Sequence, residues 1–446
     1  MQTLALNEQH PKPRRRQARQ LLGAQEITMF RLERRPLWTT VFRCCKRWLI
    51  PILFSVLTIQ CVSPPRGDSV LTTLPTEKPS PVSTQSTVDL YKGLPVQVVS
   101  RSWTLDELLT RTEAEQSAVW AEGEELTFVY HGEAEEVQIC CGIQLPMQRV
   151  GDSGFWALTV RVDGLSEAVI SYSFIPYQDG HPIKVEERVD DTKVWRGPNA
   201  PSVPERAEKL QGQISMYVIN STALGEPRDL TVYLPPSYDP TQQYPVVYAT
   251  DGDLVGRFAS ILDPQIVGGS VSAVIVVGVH PSKYEGTIAF YDPNQDLRAQ
   301  EYILGKNQER FDAHERFFVY EVSDWAEQML GASRKREGRA IFGFSNGGGF
   351  AITMGIRHPD HYGAVLAFSL GVGPDGWGTP EWTADIAPRH YLVAGTLEPF
   401  QETTAKWAAR LSQIGVEHVH RERVCGHDIV MWEEEFPGAV AWAFQE

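Results

Sequence analysis

The run Gly343-Phe344-Ser345-Asn346-Gly347-Gly348 holds the residue types that nucleophilic catalysis by a hydroxyl requires. A serine hydroxyl attacks a carbonyl only when a base takes its proton and its Oγ stands clear of the surrounding backbone. A strand entering at 340–344 and a helix leaving through Arg357 would set Ser345 on a sharp turn. Such a turn needs glycine two residues before and two after the serine, because a Cβ at either place collides with the neighbouring chain. The competing reading is a structural Gly-rich turn in which Ser345 takes no part in chemistry.

A base and an acid must complete the set, and on strand-turn-helix nucleophiles of this kind they follow in the order Ser, acid, His. Of eleven histidines, His427 in Cys425-Gly426-His427-Asp428 falls on a loop after the last strand-like run and before the helical run with Trp432 and Trp442. His358 ends the helix that follows Ser345 and is expected to cap it. The acid is expected at the end of the preceding strand, in Tyr391-Leu392-Val393-Ala394-Gly395-Thr396-Leu397-Glu398. The Glu398 carboxylate would accept the histidine Nδ1–H and fix its tautomer. Glu402 could substitute, and Asp385, before the strand, fits less well. Two backbone N–H groups must meet the developing oxyanion. Asn346 supplies one, and Asp253 or Gly252, after the run 245–249, the other.

These residues need a sheet to hold them. Strand-like runs at 215–219, 229–234, 245–249, 272–279, 340–344, 364–369, 390–394 and 418–424 alternate with helical runs such as 317–330. Val/Ile-rich strands separated by helices predict a mostly parallel sheet with helices on both faces. The expected fold class is therefore α/β, an α/β-hydrolase fold over 215–446. Upstream, 89–195 reads as short alternating strands (125–131, 137–143, 155–162, 168–176), which predict a small all-β sandwich with a packing or substrate-lid role.

A length of 446 residues suggests two domains plus a targeting segment. Residues 1–62 carry 11 Lys/Arg against 3 Asp/Glu, and the remainder carries 30 against 53, so a head of +8 precedes a body of −23. So acidic a body argues against a nucleic-acid partner, since phosphate binding needs clustered positive charge. The apolar stretch 48–62, behind Arg43, Lys46 and Arg47, reads as a signal or anchor, with Met29 the expected start. Export to the cell envelope or beyond follows, with membrane attachment through the anchor or through a lipid on Cys61. Ser/Thr/Pro-rich residues 63–88 form an extended tether. Cys140, Cys141 and Cys425 show no metal spacing, so no metal and no cofactor is expected. Neighbours in a strand point to opposite faces, so Cys140 and Cys141 are expected apart.

The motifs LTVYLPPSYDP, YPVVYATDGD, RAQEY, HERFFVYEVSDWAEQML, IFGFSNGGGFA, LVAGTLE and CGHDIVMW resemble the putative-esterase family, which includes enterochelin esterases, esterase D-like enzymes and feruloyl or acetylxylan esterases. The likeness covers about 215–446, and FVYHGEAEEVQICCGIQLPMQRVGDSGFWALTVRV resembles the N-terminal sandwich of the enterochelin branch. It implies hydrolysis of a small-molecule or polysaccharide ester by a Ser345, Glu398, His427 triad, with no cofactor. It also implies that Arg298, Glu301 and Tyr302 line the substrate pocket. An anionic ferric catecholate would rely on Arg298 and Arg257 locally. The alternatives are an envelope-anchored acyltransferase, a polysaccharide deacylase or feruloyl esterase, and a non-catalytic binding module on a hydrolase fold.

Overall fold

A computed structural model describes residues 88–90, 96–183, 192–282, 296–372 and 382–445. The expected anchor, Cys61, Met29 and nearly all of the tether lie outside them. No helix of the described residues is long and apolar enough to cross a membrane.

The N-terminal part holds β1 (Val88–Leu90), β2 (Gln97–Val99), helix α1 (Leu105–Glu115), β3 (Val119–Glu122), β4 (Glu125–His131), β5 (Glu136–Cys141), β6 (Leu145–Pro146) and β7 (Gln148–Arg149). It continues with β8 (Phe155–Arg161), β9 (Val169–Gln178), β10 (His181–Pro182) and β11 (Lys193–Arg196). These form two antiparallel sheets, one ordered β1-β2-β8-β4-β3 with β7 beside β8, the other β10-β9-β5-β6 with β11 beside β9. Alternate residues of each strand face one shared core: Leu126, Phe128 and Tyr130 with Leu158 and Val160 from one sheet, Val137, Ile139, Ile170 and Tyr172 from the other. The residues between them, Val129 of β4 and Ala157 of β8, point the other way, to a small core with Trp120 and Leu108 of α1, as the two-residue period of a strand dictates.

Two sequence expectations fail here. Only strands were expected, yet 105–115 is a helix. Its start is fixed by a capping box in which the Thr104 side chain accepts from Glu107 N–H while Glu107 reaches back to Thr104 N–H at 2.9 Å. Thr-x-x-Glu ahead of an apolar residue carries that signal. The Cys140 and Cys141 sulfurs, expected on opposite faces, lie 2.6 Å apart, because Cys141 at φ +85° breaks the strand's alternation.

The C-terminal part contributes β12 (Gln213–Asn220), β13 (Pro227–Leu234), β14 (Val246–Ala249), α2 (Val255–Val267), β15 (Ile275–Val279), α3 (Leu297–Tyr302) and α4 (Gln308–Arg316). There follow α5 (Val322–Leu330), β16 (Arg339–Phe344), α6 (Asn346–Arg357), β17 (Ala364–Phe368), β18 (Arg389–Gly395), α7 (Gln401–Ile414), β19 (His418–Arg423) and α8 (Ile429–Ala443). The sheet order is β12-β13-β15-β14-β16-β17-β18-β19, antiparallel at β12, β13 and β15 and parallel from there to β19. A π-helical turn, Phe317–Glu321, joins α4 to α5, so the helix read at 317–330 is the second half of a longer one.

The central strands of this sheet are buried on both faces, which is why they read as continuous apolar runs, while the edge strands β12 and β19 are partly exposed. Val246, Tyr248, Ile341 and Val365 point to a core closed by Phe311, Phe350 and Trp407. Their immediate neighbours Val247, Ala249, Phe342 and Leu366 point the other way, to a core closed by Phe258, Met431 and Phe436 from α2 and α8. The switch of strand order at β15-β14-β16 leaves the carboxyl ends of β14 and β16 side by side, where α/β sheets place their sites. This is the α/β-hydrolase arrangement.

Candidate active site

Ser345 occupies the turn between β16 and α6 at φ 57°, ψ −128°. For a residue with a Cβ this conformation costs about 1–3 kcal/mol and persists only where the surroundings enforce it. Those surroundings are explicit. Ser345 N–H donates to Phe368 O at 2.9 Å, and its carbonyl accepts from Gly371 N–H at 3.1 Å and Gly349 N–H at 3.2 Å. A Cβ on Gly343 would overlap the Gly347 carbonyl, and one on Gly347 would overlap the Thr250 hydroxyl. The glycines predicted from spacing are thus required by close approach. The Ser345 hydroxyl is buried and has no hydrogen-bond partner among the described residues.

The acid and the histidine meet at the ends of neighbouring strands. Glu398, 2% exposed, accepts from Gly395 N–H through Oε1 at 2.8 Å, and its Oε2 lies 2.6 Å from His427 Nδ1. The two loops are also joined through the backbone, with Thr396 N–H on Arg423 O at 2.7 Å and Leu397 N–H on Cys425 O at 2.9 Å. A buried carboxylate on Nδ1 holds the ring proton there, which is the tautomer a general base at Nε2 requires. The imidazole sits between Phe400 and the edge of Trp432, each ring centre 4.8 Å away. Trp432 stacks on Phe344, the residue before Ser345, at 4.3 Å, and donates from Nε1 to Ser369 Oγ at 2.8 Å. One indole thus packs against both the histidine and the elbow. The sequence offered Trp432 only as part of a final helix.

The alternative acids lie elsewhere. Glu402 is exposed on α7 and pairs with Lys406 one turn on at 2.7 Å. Asp385 has its carboxyl drawn below the usual range by the Thr383 hydroxyl. His358 caps α6, its N–H on Met354 O at 2.8 Å and its ring on Glu315 at 2.6 Å, as expected.

The second oxyanion candidate stands on the turn after β14. Asp251 takes φ +52° and is followed by a single 3₁₀ turn, Gly252–Leu254, which carries Asp253. A Cβ on Gly347 would also come within 3.2 Å of Asp251 Oδ2, so this turn lies directly beside the elbow. Asn346, at the first position of α6, has an amide without an intrahelical acceptor and stands at the positive end of the helix dipole.

The pocket residues implied by the resemblance are differently employed. Arg298 is buried and forms a bidentate pair with Asp251, Nε–Oδ1 at 2.5 Å and Nη2–Oδ2 at 2.8 Å. Tyr302, 1% exposed, accepts Asp251 N–H on its hydroxyl at 3.1 Å, and burial raises its phenol well above the ordinary range. Glu301 is fully buried against Arg228 (2.8 Å), Ser282 (2.5 Å) and Arg310 (3.2 Å). Despite the opposing cost of burial, His314 and Arg228 beside it hold its carboxyl down at about 2. Arg298 and Tyr302 therefore brace the turn that carries Asp253, while Glu301 ties Arg228, Ser282 and Arg310 together. Their proximity in the motif was legible, but their partners were not. Arg257, the other cation considered for an anionic substrate, pairs with buried Glu433.

A family model described as "Putative esterase" matches residues 221–443. Enterochelin esterase from Shigella flexneri superposes with a TM-score of 0.54 at 17% identity, covering 75% of this chain and 97% of its own. Ferric enterobactin esterase from Salmonella typhimurium gives 0.54 at 16%, covering 75% and 98%. A ferulic acid esterase from Anaeromyces mucronatus, crystallised with ferulic acid, gives 0.43 at 19%, covering 54% and 94%. No curated protein matches the chain in sequence.

Proposed function

From the premise that this chain belongs to the putative-esterase family and is a serine hydrolase of carboxylic esters, we propose that Ser345 is the nucleophile, His427 the general base and Glu398 the acid. Ser345 Oγ attacks the ester carbonyl carbon while His427 Nε2 takes its proton, and Glu398 stabilises the imidazolium through Nδ1–H. The tetrahedral oxyanion accepts from the backbone N–H groups of Asn346 and Asp253. Collapse breaks the C–O bond, His427 returns the proton to the leaving alcohol, and the acyl group stays on Ser345. Water, deprotonated by the same imidazole, then releases the carboxylic acid and restores the serine. The observation that carries this reading is the 2.6 Å contact between His427 Nδ1 and a buried Glu398, with Trp432 packed on both the imidazole and the elbow.

The substrate is an ester of a small molecule or a polysaccharide. The carboxylates on Arg298 and Arg257 neutralise the two cations that an anionic ferric catecholate would need, which favours a less charged ester over that substrate. The N-terminal pair of antiparallel sheets around one core supports a β-sandwich domain there, and the apolar run 48–62 behind a basic flank supports export and envelope attachment. Turnover of p-nitrophenyl acetate and butyrate by the protein and its Ser345→Ala variant tests the assignment. Activity lost only in the variant is expected, and equal rates in both would overturn it.

A further inference from the structure

The loop that carries His427 is held as much by the N-terminal sheets as by the catalytic sheet. Asp428, the next residue in the chain, is 2% exposed. Its Oδ2 accepts from Ser171 N–H of β9 at 3.0 Å, and its Oδ1 accepts from Val430 N–H at the start of α8 at 2.8 Å. On the other side of His427, Gly426 lies so close to Gly142, at the end of β5, that a Cβ there would overlap the Gly142 carbonyl. Gly142 is fixed in turn by its N–H on Ser171 O at 2.8 Å, and Val169 N–H donates to Val424 O at 2.9 Å. Leu397, beside the acid Glu398, is buried in the core of the N-terminal sheets with Val424 packed against it.

We infer that Asp428 is a positioning residue for the ester hydrolysis proposed above, and that β5 and β9 form part of the catalytic apparatus by clamping the Val424–Asp428 loop. This rests on the assignment of His427 as base. The physical case is that the loop lacks regular structure of its own between β19 and α8, while its imidazole must hold a 2.6 Å contact to Glu398. Asp428 meets two backbone donors from different parts of the fold with its two oxygens, so it fixes the peptide next to His427 relative to both. The expense is visible: burial raises its carboxyl above the ordinary range, against the hydrogen bonds that lower it. A carboxylate kept at such a cost in a buried place is paired by requirement. A two-sheet module that only covered the substrate would need no contact behind the histidine.

The test uses the full chain with p-nitrophenyl butyrate and an alkyl fluorophosphonate. Asp428→Ala is expected to lower kcat by about 10²-fold with KM within about threefold, the size of loss that a misplacement of about 1 Å brings. Asp428→Asn, whose single amide oxygen retains one of the two N–H bonds, is expected to recover part of that loss. Gly426→Ala, which pushes the loop off Gly142, is expected to act on kcat in the same way. The double variant Gly426→Ala, Asp428→Ala is expected to fall well short of the product of the two losses, because both release one clamp. If Asp428→Ala does not fold, the Asn and Gly426 variants carry the same comparison. Wild-type kcat in Asp428→Ala, or equal falls in kcat and rises in KM with no recovery by Asn, overturns the inference while the label on Ser345 persists. A wild-type protein that neither turns over nor takes the label overturns the triad assignment itself, and the clamp with it.

Discussion

Glu398→Gln isolates the acid's electrostatic role while leaving its shape in place. Oε1 is anchored by Gly395 N–H at 2.8 Å, so the substituted side chain keeps its oxygen there and turns its NH₂ toward His427, where Oε2 now lies 2.6 Å from Nδ1. An amide that donates at this point forces Nδ1 to accept, which moves the imidazole proton to Nε2 and removes the base from the side facing Ser345. In serine hydrolases an amide in place of the triad acid costs about 10⁴-fold in kcat, equivalent to about 5 kcal/mol of transition-state stabilisation. The assay is kcat on p-nitrophenyl butyrate, with circular dichroism to show that the fold survives. Glu402→Gln is the matched control, since that carboxylate is exposed and pairs with Lys406, and its kcat is expected within twofold of wild type. A Glu398→Gln enzyme that keeps its rate, or a Glu402→Gln enzyme that loses as much, refutes the reasoning.

Asp251→Ala leaves the buried Arg298 guanidinium without its bidentate partner, a loss of about 3–5 kcal/mol that denaturant midpoints would register. Adding Arg298→Met should restore most of that stability while kcat stays low, because the turn bearing Asp253 has lost its brace; full recovery of kcat would show that the turn does not matter. Burial holds His361 and His390 neutral down to about 3 and His314 down to about 4. Unfolded histidines take a proton near 6.5, so this stability is present above that pH and is lost as pH falls from about 6.5 to about 4 for His314 and to about 3 for His361 and His390, at about 1.4 kcal/mol per pH unit for each histidine. Replacing His390, whose Nδ1–H donates to Pro388 O at 2.9 Å, with Gln should reduce the slope of stability against pH by about one proton; an unchanged slope would show that His390 is already protonated in the folded state.

The centre of the C-terminal sheet was legible because burial on both faces writes itself into sequence as apolar runs such as Ile275–Val279 and Ala364–Phe368, and each of the eight runs read there, the more polar edge strand β19 included, overlaps a strand. Ser345, Glu398 and His427 were legible for a related reason. The elbow's glycines, the strand end before Glu398 and the loop after the last strand are local features, and the α/β topology brings local features together. What sequence could not carry was the partner of each polar side chain. Arg298 meets Asp251 across 47 residues, and Ser171 meets Asp428 across 257, so neither pairing leaves a local pattern. The helix at 105–115 was missed for the opposite reason: its signal, a Thr-x-x-Glu box, was local but lay amid strands. The vicinal cysteines were misjudged because one positive φ at Cys141 reverses a rule that holds for regular strands.

The claim that Ser345 is the nucleophile is tested most directly by treating the full chain with an alkyl fluorophosphonate and sequencing the modified peptide by mass spectrometry. A single phosphonyl adduct on Ser345, absent after Glu398→Gln or His427→Ala over the same interval, is predicted. An adduct on any other serine, or unmodified Ser345 in an enzyme that has lost its esterase activity, would contradict it.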